Sequence, residues 1–350
     1  MHCKGGLLSL TAAMALLSAC TAGPANPPAD KAANAPGGSP LVALTASRDG
    51  NFHIAPPYTP DPVFTQRAGV PKGRVVRFDM NSDDSKIYPT TNGANGKPAP
   101  YKRAVLVYIP PGYQPGTAAP FIVVQDGVHW YGGGQPNRPD LPYIPTLLDN
   151  MIAQHRLPAM VAILIDPGPG PERSIEYDTV SDRYTQFIEQ EVLPRVSRDY
   201  NITFTKDPRG RAAFGESSGS AAAIAMAWFH PELYRRVISY SGTFVALKRD
   251  PKTAPDGAWE YHEHFIPNSP PNPMRIWMEV GEHDNGYQTP EENKRNWVIA
   301  NRHMAQVLSA KGYHYQFVFA DDVAHVSRPV ELQTMPEAFE WAWKGYTPNP

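Results

Sequence analysis

The residues best suited to covalent chemistry lie in the short stretch Phe214–Ser220, which reads FGESSGS. Within it, Gly215–Gly219 fits G-x-S-x-G, a pattern that needs a strand before it and a helix after it. The residues GRAAF predict that strand, and the small and apolar residues SGSAAAIAMAW predict that helix. Glycines two positions either side of the central serine avoid a clash in a sharp turn, and the helix N-terminus directs N–H groups at developing negative charge. Ser217 is therefore the predicted nucleophile.

Two other interpretations of this stretch are weaker. A turn rich in serine and glycine could simply cap a helix, without any chemical role. A phosphate-binding loop would require G-x-x-x-x-G-K-[ST], and no lysine lies in this turn.

A serine needs a base to accept its proton and a third group to orient that base. In hydrolases with a G-x-S-x-G turn the chain order is serine, acid, histidine. His325 follows the last predicted strand, in FADDVAHVSRP, and is the predicted base. His262 and His264, in YHEHF, could form a metal pair, but a solvated helix or loop surface is favoured for them.

The acid has several candidates. Asp284, in GEHDNG, follows the strand-like MRIWMEVG and is the favoured choice, and Glu282 is its close rival. Asp321 and Asp322 are nearer to His325 in the chain but precede it in the same loop.

Short apolar runs alternate with helical patterns from about residue 73 onwards. This alternation predicts an α/β fold with a mainly parallel central sheet and helices on both faces. A capping box at 289–292 predicts a helix that runs to Gly312, and MPEAFEWAWKG predicts a last helix. We assign one domain to residues 63–350.

The first 62 residues differ from the rest in composition. The opening apolar run, 1–19, predicts a secretory signal peptide, and its end, LSAC, resembles the lipobox of bacterial lipoproteins. That resemblance implies lipidation of Cys20, and since Thr21 and not Asp follows the cysteine, it favours an anchor at the outer membrane, in the periplasm, if the source is Gram-negative. Residues 20–62, rich in proline and alanine, predict a tether. The net charge of −2, with no long basic run, argues against nucleic-acid binding.

Several segments, spanning roughly 101–326 and in the same order along the chain, together resemble the esterase D and enterochelin esterase group of α/β hydrolases. They are YKRAVLVYIPPGY, FIVVQDGVHW, RSIEYDTVSDRYTQFIEQEVLP, RAAFGESSGSAAAIAMAWFHPELYRRVISYSGTF, WMEVGEHDNG and NRHMAQVLSAKGYHYQFVFADDVAH. The group includes siderophore, feruloyl and acetylxylan esterases and mycolyltransferases. The resemblance implies the α/β-hydrolase fold and a triad of Ser217, Asp284 and His325.

The same resemblance implies further site residues. The pair Asp126–Gly127 matches the family's turn after the third strand, which implies that the backbone N–H groups of Val128 and Ser218 form the oxyanion hole. Three residues of this turn are candidates for substrate binding: Asp126, His129 and Trp130. Arg173 and Glu176 match a family R-x-x-E stretch and are expected to form a structural ion pair.

These expectations describe a serine esterase that hydrolyses a small-molecule carboxylic ester and needs neither cofactor nor metal. The candidate substrates are a siderophore, a feruloyl or acetyl ester, and a small generic ester. An acyltransferase of the mycolyltransferase type and a non-catalytic surface binding protein on a hydrolase scaffold are the alternatives. No membrane contact is expected except through a lipid on Cys20.

Overall fold

A nine-stranded sheet forms the centre of the computed structural model, which describes residues 45–93, 95–132 and 143–348. The predicted signal peptide, Cys20 and most of the predicted tether lie outside the described residues. In chain order the strands are β1 (Gly50–Ile54), β2 (Arg74–Asn81), β3 (Lys102–Ile109), β4 (Ala118–Ala119), β5 (Phe121–Gln125), β6 (Val161–Ile165), β7 (Thr203–Phe204), β8 (Arg211–Glu216), β9 (Arg236–Tyr240), β10 (Arg275–His283) and β11 (His314–Ala324).

The order across the sheet is β1-β11-β10-β9-β8-β5-β6-β3-β2, and β4 pairs only with β7. From β6 to β1 every neighbouring pair is parallel, whereas β3 is antiparallel to both β6 and β2. The mainly parallel sheet predicted from the alternating pattern is thus confirmed.

Helices cover both faces of this sheet. They are α1 (Gly127–Gly132), α2 (Tyr143–Ala153), α3 (Pro171–Tyr177), α4 (Arg183–Phe187), α5 (Leu193–Tyr200), α6 (Ser218–Phe229), α7 (Ile266–Asn268), α8 (Trp297–Ala310) and α9 (Arg328–Trp343). Within the described part of the chain, no helix is long and apolar enough to cross a bilayer.

Alternation along the strands builds two separate cores. In β5, Val123 joins the core under α4, α6 and α8, while Ile122 and Val124 join the core under α1, α2 and α9. Successive side chains of a strand point to opposite faces, so a fully apolar strand such as β5 or β6 can fill both. Because both faces are covered, only the strand ends remain for polar chemistry.

The structure corrects three of the predicted boundaries. The domain begins before residue 63, because β1 pairs with β11 along its whole length. Helix α8 begins at Trp297 and not at the 289–292 box, since Lys294 adopts a left-handed conformation and Asn296 caps the helix through Ile299 N–H. Helix α9 begins at Arg328, so MPEAFEWAWKG is only its second part.

Candidate active site

Three polar residues meet at the carboxyl edge of the sheet. Ser217 follows β8, Asp284 follows β10, and His325 follows β11. Because these strands are parallel, their carboxyl ends lie at the same edge, where ligands bind in open α/β sheets. The topology therefore gathers side chains that are as many as 108 positions apart in the chain.

The turn that carries Ser217 is sharp and strained. Its φ and ψ are 54° and −126°, a backbone conformation that costs a non-glycine residue free energy. Its N–H donates to Tyr240 O at 2.9 Å, which fixes the turn to β9. A Cβ on Gly215 would lie 2.1 Å from the carbonyl carbon of Gly219, so only glycine lets α6 start this close to β8.

The three residues form one chain of hydrogen bonds. Ser217 Oγ lies 2.8 Å from His325 Nε2, and His325 Nδ1 lies 2.6 Å from Asp284 Oδ1. Asp284 is fully buried, and its Oδ1 also accepts the N–H of Asn285 at 2.6 Å. The ring of Trp297 meets the imidazole edge-on at 6.1 Å between centroids and closes one side of the base. A histidine so placed can accept a proton from the serine hydroxyl.

The other acids considered for this position lie elsewhere. Glu282 is exposed and accepts the N–H of Asp322 at 2.9 Å. Asp321 pairs with His53, and Asp322 lies 3.9 Å from His283. None of the three carboxylates contacts His325, whereas Asp284 does.

The two N–H groups predicted to form the oxyanion hole differ in their hydrogen bonding. Ser218 is the first residue of α6, where a backbone N–H has no partner within the helix. The N–H of Val128, in contrast, donates to Asp166 Oδ1 at 2.9 Å and is not free. Burial raises the pKa of Asp166, and its bond from Val128 opposes that rise. Asp166 follows β6, the neighbour of β5, which explains why its carboxylate reaches this turn.

All three predicted substrate-binding residues are in contact with other side chains. Asp126 is held by Arg173 in a bidentate pair at 2.9 Å, and Trp130 is fully buried, edge-on to Phe214 at 4.8 Å. Trp130 cannot contact a substrate in this arrangement, because α1 packs its ring against Phe214 of β8. His129 keeps about a third of its side chain exposed, and its Nε2 contacts Arg328 and lies 3.4 Å from Glu216 Oε1.

Other polar residues singled out in the sequence serve the scaffold. Arg173 and Glu176 do not pair with each other as expected, since Glu176 binds Arg103 at 2.6 Å in a buried ion pair. His262 is buried and contacts Phe244 O, which corrects the expectation of a solvated surface, and burial lowers its pKa to about 3. His264 binds Glu260 instead.

Sequence reasoning did not identify Asp166, Arg328 or Glu331 as parts of the site. The signal for Asp166 was present, because an acid directly after a buried parallel strand stands at the carboxyl edge of the sheet. Arg328 and Glu331 lie in the first turns of α9, shortly after His325. The predicted start of that helix, at MPEAFEWAWKG, was too late to place them there.

A comparison with protein families gives a match over residues 99–325 to the family described as putative esterase. That range contains Ser217, Asp284 and His325. No curated protein sequence showed a significant match.

Solved structures of the same fold include esterases. The enterobactin esterase of Shigella flexneri is 18% identical, with a TM-score of 0.56 over 82% of this chain and 63% of that one. The chain thus spans under two thirds of that protein's length. A ferulic acid esterase is 16% identical with a TM-score of 0.55, covering 78% of this chain and 99% of that one. The ferulic acid esterase from Anaeromyces mucronatus is 12% identical, with a TM-score of 0.54 and coverages of 82% and 96%. At such identities these matches establish the α/β-hydrolase fold.

Proposed function

This chain belongs to the putative esterase family of carboxylic ester hydrolases, and on that premise we propose that it hydrolyses its ester through a Ser217–His325–Asp284 triad. The observation that carries the proposal is the unbroken hydrogen-bond chain from the strained serine to the buried carboxylate. Nucleophile, base and orienting acid in this order are the arrangement that acyl transfer requires.

The steps follow from the contacts. Ser217 Oγ forms a bond to the ester carbonyl carbon while its proton passes to His325 Nε2. Asp284 accepts the hydrogen bond of Nδ1–H, which fixes the tautomer and stabilises the imidazolium. His325 then gives the proton to the departing alkoxide, leaving an acyl-serine. Water, deprotonated by the same histidine, attacks the acyl-serine, and the returning proton restores Ser217.

Backbone N–H groups stabilise the negative charge on the tetrahedral intermediate. We propose Ser218 N–H and Val128 N–H for this role, with the substrate oxygen displacing the carboxylate of Asp166 from Val128. An N–H group that donates a hydrogen bond to a carboxylate can equally donate one to an oxyanion. One such donor is worth about 3 kcal/mol of transition-state stabilisation.

For the substrate we propose an ester of the kinds after which related esterases are named. Two structural neighbours are named an enterobactin esterase and a ferulic acid esterase, and these names support testing a siderophore ester and a feruloyl ester. An acetyl ester extends the panel to a smaller acyl group. A panel of these esters, with p-nitrophenyl acetate as the generic member, would rank them by kcat/KM. Equal, low values for all natural esters would reject this choice of substrates.

We also propose export and lipidation at Cys20, with the enzyme held in the periplasm at the outer membrane. The support is the apolar leader and the LSAC sequence that ends in this cysteine. Incorporation of a tagged fatty acid into the wild type but not into Cys20→Ala is the expected result. Equal labelling of both would exclude this anchor.

The first prediction tests the nucleophile. Ser217→Ala should lower kcat for p-nitrophenyl acetate by about 10³-fold or more, because the remaining groups cannot form an acyl-enzyme. It should also abolish labelling by a fluorophosphonate. Ser309→Ala is the matched control, since this serine is exposed on α8, away from the site, and the variant should stay within about threefold of wild type. Hydrolysis by Ser217→Ala at the wild-type rate would reject the proposal.

A further inference from the structure

A second polar cluster lies beside the triad, and the proposed steps do not use it. Its members are Glu216, Glu331, Arg328 and His129, called the Glu216 cluster below. They come from the end of β8, the start of α9 and the turn of α1. Glu216 precedes the nucleophile, Arg328 follows the base by three positions, and His129 follows Val128. The cluster thus joins the three segments that form the candidate active site.

At the centre of this cluster two carboxyl groups face each other. Glu216 and Glu331 share a side-chain hydrogen bond, and their side chains are only 12% and 1% exposed. Glu216 Oε2 and both carboxyl oxygens of Glu331 are buried, and none accepts a well-aligned hydrogen bond from an N–H group. Two carboxyl oxygens bind each other only when one carries a proton, so the pair holds one proton.

The surroundings leave this singly protonated pair electrically balanced. Arg328 Nη1 lies 2.7 Å from Glu331 Oε2 and compensates the one remaining negative charge. Arg328 also contacts His129 Nε2, which lies 3.4 Å from Glu216 Oε1. Burial lowers the pKa of His129, which keeps the imidazole neutral and able to accept the arginine N–H.

Loss of the shared proton would upset this balance. Burial, and then the charge of Glu331, raise the pKa of Glu216 to about 8, and burial also raises the pKa of Glu331. Above that pH two adjacent buried carboxylates would face a single guanidinium. The titratable and charged groups that face the pair are Arg328 from α9, His129 from the α1 turn and Glu279 from β10, while Asp126 faces His129. Burial raises the pKa of Glu279 well above its usual value, which disfavours a further negative charge beside the pair.

Resting on the proposed function, we propose that Glu216 and Glu331 share one proton and thereby hold the nucleophile turn, the α1 turn and the start of α9 where Ser217 and His325 meet. Removal of that proton separates the carboxyl groups and ends activity at alkaline pH. Glu216 is accordingly a positioning residue, because it acts through its neighbours in the chain and does not touch the reacting atoms.

The test is the pH profile of kcat/KM for p-nitrophenyl acetate, followed at a wavelength where absorbance is independent of pH. In the wild type kcat/KM should fall above pH about 8, by about tenfold for each further pH unit. Glu216→Gln has a permanently neutral amide that can donate to Glu331. It should keep wild-type kcat/KM at neutral pH within about threefold and lose the alkaline fall. Glu216→Ala should lose activity at every pH.

Two further variants make the result decisive. Glu337→Gln is the matched control, because Glu337 lies on the same helix, has a pKa raised to about 6 by burial, and is outside the cluster. Its alkaline profile should match the wild type. If Glu216→Gln does not fold, Glu331→Gln replaces it, since Glu216 then becomes the sole carboxylate opposite Arg328 and the alkaline fall should again disappear.

The outcomes separate this inference from the proposed function. An unchanged alkaline fall in the folded glutamine variant overturns the shared-proton role, while Ser217→Ala inactivity leaves the esterase proposal standing. Activity of Ser217→Ala at the wild-type rate overturns the esterase mechanism, whatever the profile of Glu216→Gln. Loss of the alkaline fall in Glu216→Gln, with rescue relative to Glu216→Ala, supports the positioning role.

Discussion

At the residue scale, the carboxylates near His325 in the chain have different roles, because only Asp284 contacts the imidazole. Asp284 is fully buried and points at Nδ1, so its charge acts through little water on a developing imidazolium. Glu282 is exposed and only binds the backbone of Asp322. The two acids lie two positions apart in GEHDNG, and the chain pattern alone could not choose between them.

The second prediction tests that choice. Asp284→Asn should lower kcat by about 10⁴-fold, because an amide can hold His325 in the wrong tautomer and cannot stabilise its positive charge. Glu282→Gln is the matched control and should leave kcat within about threefold. Steady-state kinetics on p-nitrophenyl acetate measure both. A larger loss in Glu282→Gln than in Asp284→Asn would contradict the geometry.

The raised pKa of Glu216 also makes the free energy of unfolding depend on pH. Its folded pKa, about 8, lies above the usual glutamate value, so the folded state retains a proton that the unfolded chain releases at lower pH. The contribution of this group to the free energy of unfolding is therefore complete below the unfolded pKa and is lost as pH rises to about 8. In the glutamine variant, thermal unfolding should depend less on pH over this window.

At the element scale, the close approach of β8 and α6 sets the position of the nucleophile. The small residues after Ser217 fill a region where all of Ser218–Ala227 are buried. Ser220 Oγ donates to Gly215 O at 2.7 Å and ties the first turn of the helix back to the strand. A strained turn persists only when its surroundings fix it in this manner.

The third prediction concerns this packing. Gly215→Ala should destabilise the protein by about 3 kcal/mol or more and reduce activity, because its Cβ would collide with the α6 backbone at 2.1–2.5 Å. Gly93→Ala is the matched control, since its new Cβ would meet its nearest neighbour at 3.3 Å, and it should change stability by about 0.5 kcal/mol at most. Chemical denaturation measures both changes. Equal stability of the two variants would argue against the close approach.

At the scale of the whole molecule, an N-terminal strand supports the loop that carries the base. β1 pairs with the outer side of β11, and Tyr58 Oη donates to Asp321 O at 2.7 Å. His53 pairs with the side chain of the same aspartate. Residues assigned from composition to a tether thus hold the end of β11, four residues before His325.

The fourth prediction follows from this pairing. A chain that begins at residue 45 should keep the activity of the mature enzyme, because it retains β1. A chain that begins at residue 63 should melt at least about 3 °C lower and lose kcat/KM, since the edge of β11 and the His325 loop lose their partners. Calorimetry and ester hydrolysis compare the two chains. Identical melting temperatures would contradict a structural role for β1.

The sequence alone determined the alternation of strands and helices from about residue 73 onwards, the turn after β8 and its central serine. These depend on local properties: the period of apolar residues, glycines in a tight turn and small residues at a helix start. β1 could not be predicted in this way. Its surroundings are polar and rich in proline, and an edge strand buries too little surface to show a clear period of apolar residues.

Only the tertiary structure decided which acid meets His325, that Asp166 occupies the N–H of Val128, that Trp130 is buried, and that Glu216 faces Glu331. Each of these depends on side chains brought together from different strand ends, and contacts of that kind leave no period in the sequence. The physical reason is that hydrogen bonds and burial act over a few ångströms in space, whatever the separation along the chain.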